Sequence, residues 1–462
     1  MDDFTPSPPL TPANAKLGGL ARTLAVIGLD FHVASTLLFR GWTIVAGAGT
    51  MVVLPFCLSP TQQGYYYTFG SILALQVFFE LGLNQIVVQL VSHEVAHLSF
   101  DGGGALVGSA LHLDRLGSLA RLMFRWYAVA AALFMAAAGI AGALFFANKS
   151  ALPLSAWSGA WGLLVAMTAV NLFLSPGLAM MEGAGSVGQV ARLRLIQSLV
   201  GYACLWLALS LGAGLWAATT APLAAAVCTM VWLRTRGTLL QRLGARTTDP
   251  DRRLSWRRDV LPLQWRIALS WASGYFIFNL FTPLVFLHQG AVEAGRLGLA
   301  MTIFNAISTV GMSWISASTP QLTTRIALGD RRGLNALFFA VAKRSVFATA
   351  ALSAAVLCAA MALEAAGVAG VRRISPLPVL ACLAWVATVN AVIFSAATFM
   401  RAHRQEPLLA VSILGGVLTA AAAWVGSRMS VGTMMLLYAA VTTFVGLPWT
   451  LALFSRYLKR SD

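Results

Sequence analysis

Twelve stretches of roughly twenty apolar residues recur along this chain, at about 33–57, 66–91, 122–147, 155–179, 193–212, 214–233, 263–287, 297–319, 344–364, 376–399, 407–426 and 430–454. Each is long enough to cross about 30 Å of hydrocarbon as a helix, which satisfies every backbone polar group within the segment. With 58% hydrophobic and only 10% charged residues, the chain lacks the polar surface that a water-soluble fold of 462 residues would need. The expected fold class is all-α integral membrane, with about twelve transmembrane helices.

Charge orients that bundle. With the amino terminus placed inside, 27 Lys and Arg residues fall on inner segments and five (Lys149, Arg296, Arg372, Arg373 and Arg428) on outer ones, as the positive-inside rule requires. Both termini are expected in the cytoplasm. The net charge of +16 is spread among the joints between spans, which points to topology and anionic lipid and away from nucleic acid. Five cysteines lie in or at the ends of apolar spans without paired spacing and read as packing residues.

The Pro-rich start MDDFTPSPPLTPANAK has no apolar core and reads as a disordered tail and not as a cleaved signal, so residues 1–32 are expected to be a disordered tail and an entry helix. The longest polar interruption, 234–262, separates a half of six spans (33–233) from a second half of six (263–454), and 455–462 form a basic tail. The halves share features in order. Arg40 and Arg266 each lie just inside the inner end of the first helix, Gly64 and Gly295 each open the second, and Asn171 and Met181 of the fourth match Asn390 and Met400. This pattern predicts an internal duplication, two pseudo-symmetric six-helix lobes around a central cavity.

Polar residues inside the spans nominate the site, because an ionisable group in lipid is costly unless it faces an interior. In the second span Gln76, Glu80 and Asn84 follow at intervals of four, with Tyr66 on the same side. The eighth carries Asn305, Thr309, Ser313 and Ser316. The two stripes are expected to line the cavity, and an interhelical hydrogen-bond seam is the other reading open to them. Arg40 and Arg266 would point into its inner mouth, where guanidinium groups suit phosphate through bidentate hydrogen bonds, or would reach out to lipid headgroups. The chain has no G-x-x-x-x-G-K-[ST] motif and no soluble segment large enough for a nucleotide-binding domain, and no cofactor is expected. DGGG at 101–104 reads as a loop with no preceding strand.

One motif pulls elsewhere. His93-Glu94-Val95-Ala96-His97 has the H-E-x-x-H spacing of zinc proteases. A third ligand is missing, since Phe100 stands where the extended motif requires Gly and no later span contains Asp. His93 and His97 are therefore minor metal candidates, and the segment reads better as a polar helix end.

The segments LSPTQQGYYYTFGSILALQVFFELGLNQIVVQLVSHE (58–94), MEGAGSVGQVARLRLIQ (181–197), AGRLGLAMTIFNAISTVGMSWIS (294–316) and FMRAHRQEPLL (399–409) resemble the polysaccharide-exporter branch of the multidrug/oligosaccharidyl-lipid/polysaccharide superfamily, which includes O-antigen flippases and, more distantly, multidrug-and-toxin extruders (MATE). The resemblance implies a MATE-like fold with a V-shaped cavity in a bacterial inner membrane. It further implies a non-enzymatic flippase for undecaprenyl-pyrophosphate-linked glycans, with Arg40 and Arg266 on the pyrophosphate. Its partners would be the polyprenyl-linked glycan, membrane lipid, and a glycosyltransferase or polymerase at the basic linker. A cation-coupled drug exporter with Glu80 as its ion site is the alternative within the same fold. The cavity here carries fewer cationic candidates than such flippases have.

Overall fold

The computed structural model describes residues 31–101, 105–149, 151–245, 254, 256, 260–402 and 408–460. Residues 1–30, most of the linker and the last two positions lie outside that description, as do the side chains of Arg40 and Arg266. Among the described residues the predicted spans fall on helix, with breaks inside the second and the seventh. The first lobe comprises α1 (Phe31–Cys57), α2 (Pro60–Glu80), α3 (Leu83–Val95), α4 (Ala110–Asn148), α5 (Leu154–Gly183), α6 (Val187–Ser210) and α7 (Thr220–Arg236). After α8 (Thr238–Ala245), the second comprises α9 (Leu261–Phe278), α10 (Phe281–Gln289), α11 (Ala291–Ala327), α12 (Arg331–Ala365), α13 (Leu377–Ala402), α14 (Leu409–Met429), α15 (Val431–Val441) and α16 (Leu447–Arg460). Nine helices among the described residues are long and apolar enough to cross a membrane by themselves, and α2 with α3 makes a bent tenth.

Local chemistry sets the joints. Ser59 caps α2 by accepting from the Gln62 amide, while Gln62 accepts from the Ser59 amide, and Pro60 occupies the first turn. In the short joint Gly212-Ala213-Gly214 both glycines are left-handed, at φ +73° and +58°. The seventh span breaks at Asn279 because Pro283, four residues on, lacks an N–H and its ring collides with the Asn279 carbonyl. The second span breaks differently. Leu81 and Gly82 both take left-handed backbone, φ +51° and +68°, and the axis turns by 42°.

Two features differ from the sequence reading. A strand does precede DGGG: β1 (Leu98–Phe100) pairs antiparallel with β2 (Leu106–Gly108), closed by Asp101, whose side chain accepts from the Ala105 amide. A second strand follows where a phosphate loop would need a helix, so β1 and β2 form a strand pair on either side of 102–104. The linker also contains helix, because α8 packs under the first lobe against α4. Leu254 and Trp256 of the linker continue along that surface. The Leu254 amide donates to Ser118, and Trp256 lies 4.8 Å from the Trp126 ring.

The duplication is visible in matched contacts. Asn171 of α5 donates to the Pro222 carbonyl of α7, and Asn390 of α13 bonds to Tyr438 of α15. In each lobe the fourth span thus holds the sixth through an asparagine at the matched position.

Candidate functional site

Following the charge asymmetry, the basic end of the bundle is called the inner end. The lobes meet most closely at the outer end, where α2 crosses α11. Gly64 and Gly295 lie face to face there. A Cβ on Gly64 would overlap the Ala291 carbonyl, and one on Gly295 would come within 2.8 Å of the Gly64 amide nitrogen, so only glycine permits this approach. Polar groups fasten the crossing. Gln63, almost wholly buried, donates to the carbonyls of Gly295 (2.9 Å) and Arg373 (3.1 Å), and Arg373 donates to the Leu58 carbonyl. An aromatic cluster seals the space behind it, with Tyr65 5.0 Å from Phe286 of the opposite lobe.

Beneath this closure lie two adjoining cavities. One, of about 360 Å³, sits between the lobes, with Tyr66, Tyr67 and Ser71 on one wall and Asn279, Thr282 and Thr302 on the other. The second, of about 310 Å³, enters the second lobe and reaches Ser308, Thr309, Asn390 and Tyr438. Phe278, Asn279, Met301 and Asn305 border both. No charged side chain lines either cavity among the described residues. Their polar surface consists of amides and hydroxyls beside aromatic rings, a set that exchanges hydrogen bonds with neutral polar ligands and stacks on flat faces.

The predicted residues divide between separate places. Tyr66, Asn305 and Thr309 border the cavities, and Ser313 is exposed further along α11. Gln76 is half-buried in the 3-10 turn of α2 and lines neither. Glu80 and Asn84 face into their own lobe. Asn84 donates to Glu80 Oε1 at 2.6 Å and accepts from Tyr127 of α4 at 3.0 Å and from Ser175 of α5 at 3.4 Å. Glu80 has no cationic partner among the described residues. Of the second-span stripe only Tyr66 borders the interlobe cavity; Glu80 and Asn84 follow the other reading, an interhelical hydrogen-bond seam with α4 and α5. Arg40 and Arg266 have their backbones in α1 and α9, while their side chains lie outside the described residues.

The His93-Glu94-x-x-His97 segment is tied up otherwise. Glu94, 2% exposed, accepts from His112 Nδ1 at 2.6 Å and from Arg115 Nε at 3.1 Å, pinning the end of α3 to the start of α4. His97 stacks on His112 at 4.4 Å and donates through Nδ1 to the His93 carbonyl, while His93 points to the surface. Among the described residues no three His, Cys, Asp or Glu side chains converge as metal ligands.

Sequence reasoning passed over Asn279, Tyr127 and Ser175. Asn279 carried a usable signal, the helix-breaking proline four residues later. Tyr127 and Ser175 carried none, since a lone hydroxyl in an apolar span gives no hint of its partner.

No family model matches the chain, and no curated protein matches it in sequence. Solved structures do. The chain is similar to an inward-facing MATE family multidrug resistance transporter of the MOP superfamily (TM-score 0.62, 14% identity, covering 92% of this chain and 99% of that one). It is similar also to the lipid II flippase MurJ in an inward closed conformation (0.62, 10% identity, 90% and 86%) and to the MATE multidrug transporter DinF-BH (0.58, 13% identity, 95% and 96%). The fold is that of these transporters.

Proposed function

We propose that the protein is a transporter of the MOP superfamily that flips a lipid-linked oligosaccharide, an undecaprenyl-pyrophosphate glycan, across the bacterial inner membrane by alternating access. The observation that carries this reading is the uncharged cavity beneath a sealed outer crossing. Amides and hydroxyls at Asn279, Asn305, Thr309 and Asn390, with rings at Tyr66, Phe278 and Tyr438, suit sugar hydroxyls and the apolar faces of sugar rings. The inner end supplies the positive charge that a pyrophosphate needs, and Arg40 with Arg266 is the matched pair assigned to it. The polyprenyl tail would stay in lipid between the lobes. Both termini would be cytoplasmic, the linker offering a surface to a glycosyltransferase or polymerase, and no metal or cofactor takes part. Replacing both Asn279 and Asn305 with Ala, or both Arg40 and Arg266, is expected to lower surface polysaccharide at least tenfold while membrane levels of the protein hold. Normal polysaccharide in both double variants would refute the reading.

A specific observation favours a second reading, cation-coupled multidrug export. Glu80 is an intramembrane carboxylate without a cationic partner among the described residues, beside a helix break, as in carriers that bind a coupling ion. Glu80→Gln separates the two. Loss of pH- or sodium-dependent dye efflux with intact surface glycan supports the exporter, and loss of glycan without any efflux phenotype supports the flippase.

A further inference from the structure

Three of the five basic residues assigned to the outer side, Arg296, Arg372 and Arg373, converge on the 3-10 turn Ala369–Arg373 between α12 and α13. Two of them are engaged. Arg373 holds the Leu58 carbonyl across the lobes, while Arg296 donates through Nε to the Arg372 carbonyl at 2.9 Å and pairs with Glu293 at 2.6 Å. The Arg372 guanidinium is exposed and makes no hydrogen bond or ion pair among the described residues. It borders a cavity of about 340 Å³ between α11, α12 and α13. Glu364, from the last turn of α12, borders the same cavity and is likewise unpaired among the described residues, and so does Ser375, a 3% exposed residue whose hydroxyl has no partner among them. Arg296, paired with Glu293, also borders it, and the rest of the wall is apolar, including Ala360, Val368, Val371, Ile374, Leu377 and Leu380.

Opposite unit charges that share one small cavity without pairing present separate ends of a dipole to whatever enters. Arg296 is neutralised by Glu293, so the free charges are one positive and one negative. A pyrophosphate would meet repulsion from Glu364, whereas a zwitterion is matched at both ends. The guanidinium suits a phosphate, the carboxylate suits a primary ammonium with N–H groups to donate, and the apolar wall suits the neck of an amphiphile. We infer that this cavity is a binding site for the headgroup of a zwitterionic phospholipid of the phosphoethanolamine type. The site lies apart from the interlobe cavity and does not rest on what that cavity transports.

The test uses purified full-length protein in detergent and phosphatidylethanolamine fluorescently labelled on an acyl chain, leaving its headgroup native. Unlabelled phosphatidylethanolamine should displace the probe at least tenfold better than phosphatidylcholine, whose quaternary ammonium has no N–H for Glu364, or phosphatidylglycerol, which has no cation. Arg372→Ala should weaken binding by roughly tenfold, the scale of one charge-assisted hydrogen bond. Glu364→Gln should weaken phosphatidylethanolamine binding while leaving phosphatidylglycerol unchanged or tighter. Val371→Trp, which fills the cavity and leaves the charges in place, should abolish binding in protein that elutes normally on size exclusion. Equal displacement by the three lipids, or full phosphatidylethanolamine binding in any of the three variants, would overturn the site.

Discussion

The second helices of the two lobes begin alike and end differently. They cross at Gly64 and Gly295, so positions 231 apart correspond. That offset places Glu80 on Gly311 and Asn84 on Ile315. Gly311 packs so tightly on α12 that a Cβ would overlap the Thr349 hydroxyl, and Ile315 is fully buried. In both lobes, then, this face points into its own lobe, and only the contents differ. The second lobe fills the space with close helix packing and runs α11 unbroken through 37 residues. The first breaks its helix and houses a carboxylate in a hydrogen-bonded network. One architecture thus serves as a rigid wall on one side and as an ionisable site on the other.

The crossing that both helices share should tolerate least. Gly64→Ala pushes a methyl group into the Ala291 backbone, which cannot swing away as a flexible side chain could, and is expected to cost about 3 kcal/mol or more. Gly70, two turns along the same helix, faces open space, and Gly70→Ala should leave stability unchanged or slightly higher through helix propensity. Thermal unfolding of the two variants in the same detergent checks the contrast. Comparable midpoints would mean that the lobes do not touch at Gly64.

How much of this was legible follows from the same helices. Span positions came from length and apolarity, which lipid imposes regardless of tertiary detail. Gly64 and Gly295 were visible as a matched pair, and the structure adds that they touch. The two polar stripes do not match each other: Asn305 and Thr309 of the eighth span border the cavity, while Glu80 and Asn84 of the second form a seam inside their own lobe. The offset of 231 sets Asn305 and Thr309, which border the cavity, against Ala74 and Phe78 of α2, not against Glu80 and Asn84. Phe78 does face the other lobe, 5.4 Å from Tyr275. A left-handed Leu81 leaves no trace in sequence, because leucine ordinarily avoids that conformation. Similarly, Glu94 looked like half of a metal motif because its true partners, His112 and Arg115, come from beyond a strand pair too short to register in sequence.

The smallest expected effects test the difference between the helices most directly. Gly82 and Ser313 correspond by the same offset, yet Gly82 sits in the break at φ +68° while Ser313 lies on a continuous helix, exposed, its hydroxyl donating to the Val310 carbonyl. A Cβ at position 82 meets the carbonyl clash that bars side chains from left-handed backbone, so Gly82→Ala should destabilise by about 1 to 2 kcal/mol. Ser313→Ala removes only a local bond on an exposed face and should stay within about 0.5 kcal/mol. Paired denaturation curves decide it. Were Gly82→Ala as mild as Ser313→Ala, the break would have to be held by Leu81 and the Glu80 network alone. The asymmetry between the lobes would then come from the polar cluster rather than from the backbone, and Asn84→Leu, which dismantles that cluster, should straighten the helix into a copy of α11.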